Sequence, residues 1–195
     1  MARLLLGGAL GGLAMWLVGF VFWGTPLSLL ALSQTDAATT AAVQAALAQH
    51  LGPLGSGAYP IPWAGTPQGT QLYGQGPTAL VMFNTGGFAM PDSGALIGGL
   101  VLAIVCALLA GFALRAVAHG HDFAGRLRLV AIVAAAVTAY SDLGQPIFNH
   151  APWGYFFYLW VSDLASWIAA GGVPAGAWPG AVSVGKGKML PPRRE

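Results

Sequence analysis

The chain has 195 residues, of which 56 % are hydrophobic and 7 % charged, whereas soluble domains carry about a quarter charged residues. That charge cannot cover a water-facing surface of this size, so lipid must be the main solvent and a soluble globular protein is excluded. The net charge of +2, with no basic face interleaved by aromatics, argues against nucleic-acid binding.

The single cysteine, Cys106, excludes an internal disulfide and any CxxC centre, and reads as a small packing residue inside an apolar run.

The first apolar run, Leu4 to Trp23, has about the 20 residues a helix needs to cross the hydrocarbon layer. It exceeds the apolar core of a secretory signal, and Ala31-Leu32-Ser33 makes a poor cleavage site, so a retained anchor is expected. Gly8, Gly12 and Gly19 fall on one face beside a parallel Gly7 and Gly11 pair, a spacing that lets a second helix approach closely.

Residues 24–91 are the only sizeable water-facing piece. Thr35 or Asp36 is suited to cap a helix that runs to about Leu51, where Gly52-Pro53 ends it, and Val43, Leu47 and Leu51 give it one apolar stripe. Ala58 to Trp63 and Thr78 to Phe83 read as two short strands, separated by a Gly/Pro/Gln-rich connection from Ala64 to Pro77. A small α+β cap is expected, leaning on membrane helices because its own core is too small. Between Asp36 and Asp92 it carries no charged side chain apart from His50, which argues against a highly charged ligand.

Three further spans follow at about 93–115, 127–149 and 153–172. Asp92 or Ser93 caps the first of them, where Gly94 and Gly98 offer another close-packing face. The last two are joined by a tight turn through His150, Ala151 and Pro152. Trp23, Trp153, Tyr155, Tyr158 and Trp178 suit headgroup depth. The remainder, 173–195, reads as a flexible basic tail.

All eight basic residues fall in three stretches: Arg3, then Arg115, Arg126 and Arg128, then Lys186, Lys188, Arg193 and Arg194. Loops rich in Lys and Arg stay cytoplasmic. The expected fold class is therefore an all-α membrane protein with four transmembrane helices, both termini cytoplasmic, and a small α+β extracytoplasmic cap between helices 1 and 2. His119 and His121 beside Asp122 form a weak metal signal in a solvated inner loop, and no metal or other cofactor is expected.

Chemistry concentrates on two intramembrane acids, Asp142 and Asp163, each preceded by Ser (Ser141, Ser162) and followed by Leu. Asp142 stands ten residues before Pro152 and Asp163 eleven after it, which puts both roughly 15 Å from the turn on adjacent antiparallel helices. The interior of the spans offers no Lys or Arg to pair with them. A charged Asp at mid-bilayer costs about 2.5 to 3.5 kcal/mol, and three escapes are open: a shared proton, a bridging cation, or a basic group from another polypeptide. Thr138, Asp142, Gln145 and Asn149 recur at i, i+4, i+7 and i+11 as one polar stripe. Pro146 cannot bond the Asp142 carbonyl, so a kink is expected there. On the fourth helix Tyr155, Ser162 and Ser166 line a face that Asp163 borders. The plainer reading of such residues is interhelical glue.

Paired intramembrane aspartates invite comparison with presenilin-type proteases, but the GxGD motif is absent: the residues are Tyr140-Ser141-Asp142 and Val161-Ser162-Asp163. One cysteine is too few for a quinone-linked thiol oxidoreductase, and no Walker loop, HExxH or GxSxG occurs.

The Gly-rich first helix ending in Phe22-Trp23 before Pro26, the outside helix, the Tyr59-Pro60 strand and three closely spaced spans together resemble a group of small four-span bacterial inner-membrane proteins. That resemblance implies topology and a bacterial inner-membrane location, and implies no activity. The expected function is non-enzymatic: an accessory, assembly or oligomer-forming subunit that packs through Gly-rich helix faces, with the lipid bilayer and a homo-oligomer or larger membrane complex as partners and no nucleic acid. The alternative is transport or sensing of a proton, cation or small polar ligand through Asp142 and Asp163.

Overall fold

The structure is a computed structural model that describes residues 2–117 and 122–173, the side chain of Arg3 excepted. It is mostly helical, 74 %, with a small two-stranded sheet. Three helical stretches are long and apolar enough to cross a membrane: Leu4–Trp23, Ser93–Val117 and Phe123–Asn149. The expected tail, the His119/His121 pair and Trp178 lie outside the described residues. The described residues divide into two compact units, one made of those up to Leu32 and from Ser93 onward, the other of Ser33–Asp92.

The first unit holds α1 (Ala2–Trp23), a 3-10 turn (Pro26–Leu30), α4 (Ser93–Val117), α5 (Phe123–Thr138), a π turn (Ala139–Leu143), α6 (Gly144–Asn149) and α7 (Trp153–Gly171). Its main packing runs in a row: α4 on α1, α1 on α7, α7 on α5 and the π turn. Most buried positions are small residues, Ala103, Ala107, Ala134 and Ala170 among them, with Leu4 the large exception, while Leu17, Val101, Leu102, Leu109 and Val137 face outward. This inverts the order of a soluble core. Lipid is as apolar as leucine, so helices associate by close approach of backbones rather than by hiding large side chains.

The closest approach is between α1 and α4. A Cβ on Gly12 would overlap Ile104 Cα and lie 2.6 Å from Ile104 N, and one on Gly8 would overlap the Leu108 side chain and lie 3.2 Å from its Cα. Trp16 Nε1 adds a 3.1 Å hydrogen bond to the Leu96 carbonyl. Gly19 and Gly98 have nothing within 4 Å, and Gly94 is exposed. The expected glycine faces thus split: Gly8 and Gly12 seat α4, whereas among the described residues Gly19 and Gly98 face no neighbour and Gly94 is exposed.

In the second unit, α2 (Ala37–Leu51) precedes β1 (Gly57–Ile61), α3 (Pro67–Gln75) and β2 (Ala79–Phe83). The strands pair antiparallel with Tyr59 opposite Val81. The connection expected to be irregular contains α3. Thr66 caps it by accepting from Gly69 N at 3.0 Å, and Pro67 occupies its first turn, a start signal that works even in a polar, Gly-containing segment.

Asp36 caps α2: its Oδ1 accepts from Thr39 N at 2.9 Å and its Oδ2 from the Thr39 hydroxyl at 2.6 Å. These two bonds hold its carboxyl below the usual carboxylate range. A carboxylate with a lowered folded pKa contributes stability above its unfolded value of 3.8, and that contribution is lost as pH falls through the lower folded value. Amide exchange should read this directly. Thr39 N–H is expected to stay protected at neutral pH, to lose protection in acid or on Asp36→Ala, and to keep it in Asp36→Ser, since Ser also caps.

Candidate functional site: an intramembrane carboxylate pair

Asp142 sits in the π turn between α5 and α6. Pro146, lacking an N–H, leaves the Asp142 carbonyl without its helical donor, and the ladder widens just ahead of it. The Gly144 N–H turns to that carbonyl instead. Such single-turn widenings bend helices and re-aim side chains. Here the result is a carboxylate turned inward: Asp142 is only 7 % exposed. The Ser141 hydroxyl lies 3.0 Å from its Oδ1 and 3.2 Å from the Thr138 carbonyl. Its Oδ2 is buried with no hydrogen-bond partner.

Asp163 comes from α7, which packs on the π turn that carries Asp142. The two acids therefore face one region from neighbouring helices. Trp160, three residues before Asp163 and so on the same side of α7, buries an indole N–H that also has no partner. The π turn thus keeps an open acceptor, and α7 separately keeps an open donor. Trp160 was not singled out by the sequence, because an indole in an apolar helix gives no sign of where its N–H points.

The other expected site residues divide. Thr138 is buried but spends its hydroxyl on the Ala134 carbonyl at 2.8 Å. Gln145 and Asn149 bond each other, Asn149 Nδ2 donating to Gln145 Oε1 at 2.7 Å, and Asn149 is exposed. The extra residue of the π turn rotates everything after it by about 100°, which breaks the four-residue stripe expected from a regular helix. Ser162, 1 % exposed, accepts from Trp23 Nε1 at 3.0 Å instead of serving Asp163. Ser166 donates to the Ser162 carbonyl at 2.8 Å.

That Ser162 face of α7 is the seat of α1. Trp23 meets the Tyr158 ring edge-on at 5.2 Å and the Tyr155 ring at 5.7 Å, and the Tyr158 hydroxyl donates to the Phe22 carbonyl at 2.7 Å. Trp23, expected as a headgroup anchor, turns its N–H inward. Trp23→Phe keeps the ring contacts and removes the bond to a buried hydroxyl, a loss of about 0.6 to 2 kcal/mol at a membrane-helix contact. Thermal unfolding in detergent should show that decrease, and Ser162→Ala in the same background should add little, since the bond is already gone.

Two acids, a hydroxyl and an indole N–H offer no nucleophile with an adjacent base. Among the described residues no three His, Cys, Asp or Glu side chains gather into a metal-binding group. What the arrangement can do is hold a proton, a small cation or a polar group between helices. No family model, curated protein or solved structure matches the chain, so the functional reading rests on this geometry.

Proposed function

We propose that the chain is a non-enzymatic accessory or assembly subunit of a bacterial inner membrane, with four spans, both termini cytoplasmic and residues 24–91 outside. Arg115, Arg126 and Arg128 cluster at the ends of α4 and α5 that face one connection, as the positive-inside rule requires of a cytoplasmic loop. The fourth span is α7, whose 19 residues suffice in length; its tyrosines, serines and Asp163 lower its apolar character, and it packs between α1 and α5.

The observation that carries the reading is Tyr140. It is 79 % exposed on the outer side of the π turn, nine residues from the end of α6 at Asn149, hence about 14 Å into the membrane. A phenol hydroxyl facing hydrocarbon at that depth wants an acceptor that lipid does not supply. A helix of a second chain supplies one, and the uncovered sides of α4 and α5, at the two ends of the row, offer room for it. The test is the protein mass of the particle purified in mild detergent. A multiple of 19.9 kDa, or a stoichiometric co-purifying membrane protein, is expected; a strictly monomeric species without a partner contradicts the proposal.

A second reading is favoured by one specific observation, the buried Asp142 Oδ2 with no partner beside Asp163. In it the pair takes up a proton, cation or small polar ligand for transport or sensing. Asp142→Asn and Asp163→Asn separate the two readings: loss of uptake in proteoliposomes with the assembly intact favours the second, and unchanged uptake removes it.

A further inference from the structure

The segment just after α1 has the opposite character to a water-facing turn. Both of its hydroxyls and several of its backbone N–H groups are bonded internally. Gly24 N donates to the Phe20 carbonyl at 2.7 Å, the Thr25 hydroxyl to the Val21 carbonyl at 2.6 Å, the Ser28 hydroxyl to the Thr25 carbonyl at 2.9 Å, and Ala31 and Leu32 N to the Ser28 carbonyl at 3.0 Å. Its apolar side chains are left outside: Leu27, Leu29, Leu30 and Leu32 are all exposed, Leu30 to 75 %. The turn packs back on the end of α1, which fixes it at the end of a membrane-spanning helix. No charged side chain occurs between Arg3 and Asp36.

We propose that Pro26–Leu32 is an interfacial anchor whose leucines lie in the boundary between lipid headgroups and acyl chains. The chemistry favours lipid over water or a protein partner on three counts. Backbone and hydroxyl groups that already have partners lose little on leaving water. An apolar face without charge enters the headgroup boundary by burying area alone. Position along the chain supplies the third, since the turn cannot leave the neighbourhood of the α1 terminus. The return to the membrane repeats the pattern: Phe88 and Met90 are exposed, Met90 to 94 %, and Met90 stands three residues before Ser93, where α4 begins, within about 11 Å of it. Each crossing next to residues 33–92 is thus flanked by bare apolar side chains.

The test is nitroxide labelling at Leu30→Cys in full-length protein carrying Cys106→Ala, reconstituted in phosphatidylcholine/phosphatidylglycerol vesicles. Collision rates with oxygen and with a water-soluble nickel chelate are compared with labels at Leu17→Cys, as lipid reference, and Gln68→Cys, as water reference. The label at residue 30 is expected to favour oxygen over the chelate as Leu17 does, with chelate collisions at least about tenfold below those at Gln68, as burial in the interface implies. Chelate access equal to Gln68 overturns the proposal, and so does protection from both reagents, which means a protein partner covers the turn. Should that label disturb folding, Leu32→Cys and Met90→Cys are read by the rate of labelling with a charged, membrane-impermeant maleimide, expected to be slow against Gln68→Cys; equal rates overturn the proposal equally.

Discussion

Gly12→Ala is expected to weaken the fold while Gly19→Ala, seven residues along the same helix, strengthens it. In a helix the exchange of Gly for Ala ordinarily gains roughly 0.5 to 1 kcal/mol, because the unfolded glycine has more freedom to lose. Gly19 has nothing within 4 Å and collects that gain. At Gly12 the new carbon overlaps Ile104 Cα and approaches Ile104 N to 2.6 Å. Both are backbone atoms that cannot rotate away, so α4 must move off α1. Overpacking of this kind costs about 1 to 3 kcal/mol, enough to reverse the sign, and Gly12→Leu should cost more still. Gly8→Ala meets mainly the flexible Leu108 side chain and is expected to fall between the two. Thermal unfolding in one detergent, followed by tryptophan fluorescence, ranks the four variants. Equal gains at Gly12 and Gly19 would mean that α1 and α4 do not meet at Gly12.

Much of the architecture was written in local signals. Apolar runs of bilayer length mark α1, α4 and the α5–α6 span, Asp36 marks the start of α2, and alternating Tyr59/Pro60 and Val81/Met82 segments mark the strands to within a residue or two at most ends. What escaped was decided by context. The Thr66-Pro67 start of α3 lay hidden in a polar stretch with no apolar stripe to reveal it. The π turn escaped because helical spacing assumes 3.6 residues per turn, and one inserted residue moves Gln145 and Asn149 off the Asp142 face. Spacing predicts the two acids at equal height, because both are counted from Pro152 across a tight turn. The roles of Trp23 and Ser162 escaped because a long-range indole-to-hydroxyl bond across 139 residues leaves no periodicity. Glycine spacing named Gly8, Gly12 and Gly19 alike, and only the partner helix separates the two that are occupied from the one that is not.

The second large effect concerns the acids themselves. Asp142 keeps one carboxylate oxygen buried without a partner, and Asp163 is carried by α7, which packs on the same π turn. Neither receives a Lys or Arg from the interior of the helices, since none occurs from residue 129 to residue 171. Two acids held between membrane helices without a basic partner are costly when charged. Asn has the shape of Asp without the charge, and at position 142 it can still accept from Ser141. Each single substitution is therefore expected to raise stability, by up to the roughly 2.5 to 3.5 kcal/mol that a charged Asp costs at mid-bilayer.

Whichever acid is removed first relieves the repulsion, leaving less for the second to relieve. Removal of the first charge and removal of the second are then coupled, by about 0.5 to 3 kcal/mol for groups that share a site. The thermodynamic cycle of wild type, Asp142→Asn, Asp163→Asn and the double variant, measured by unfolding in one detergent at about pH 8, where free carboxyls are ionised, reads that coupling. Two stabilised single variants are expected, with a double variant less stable than their sum. Independent, additive effects, or destabilisation by both single changes, would show that these side chains do not meet and that no shared carboxylate site exists between the π turn and α7.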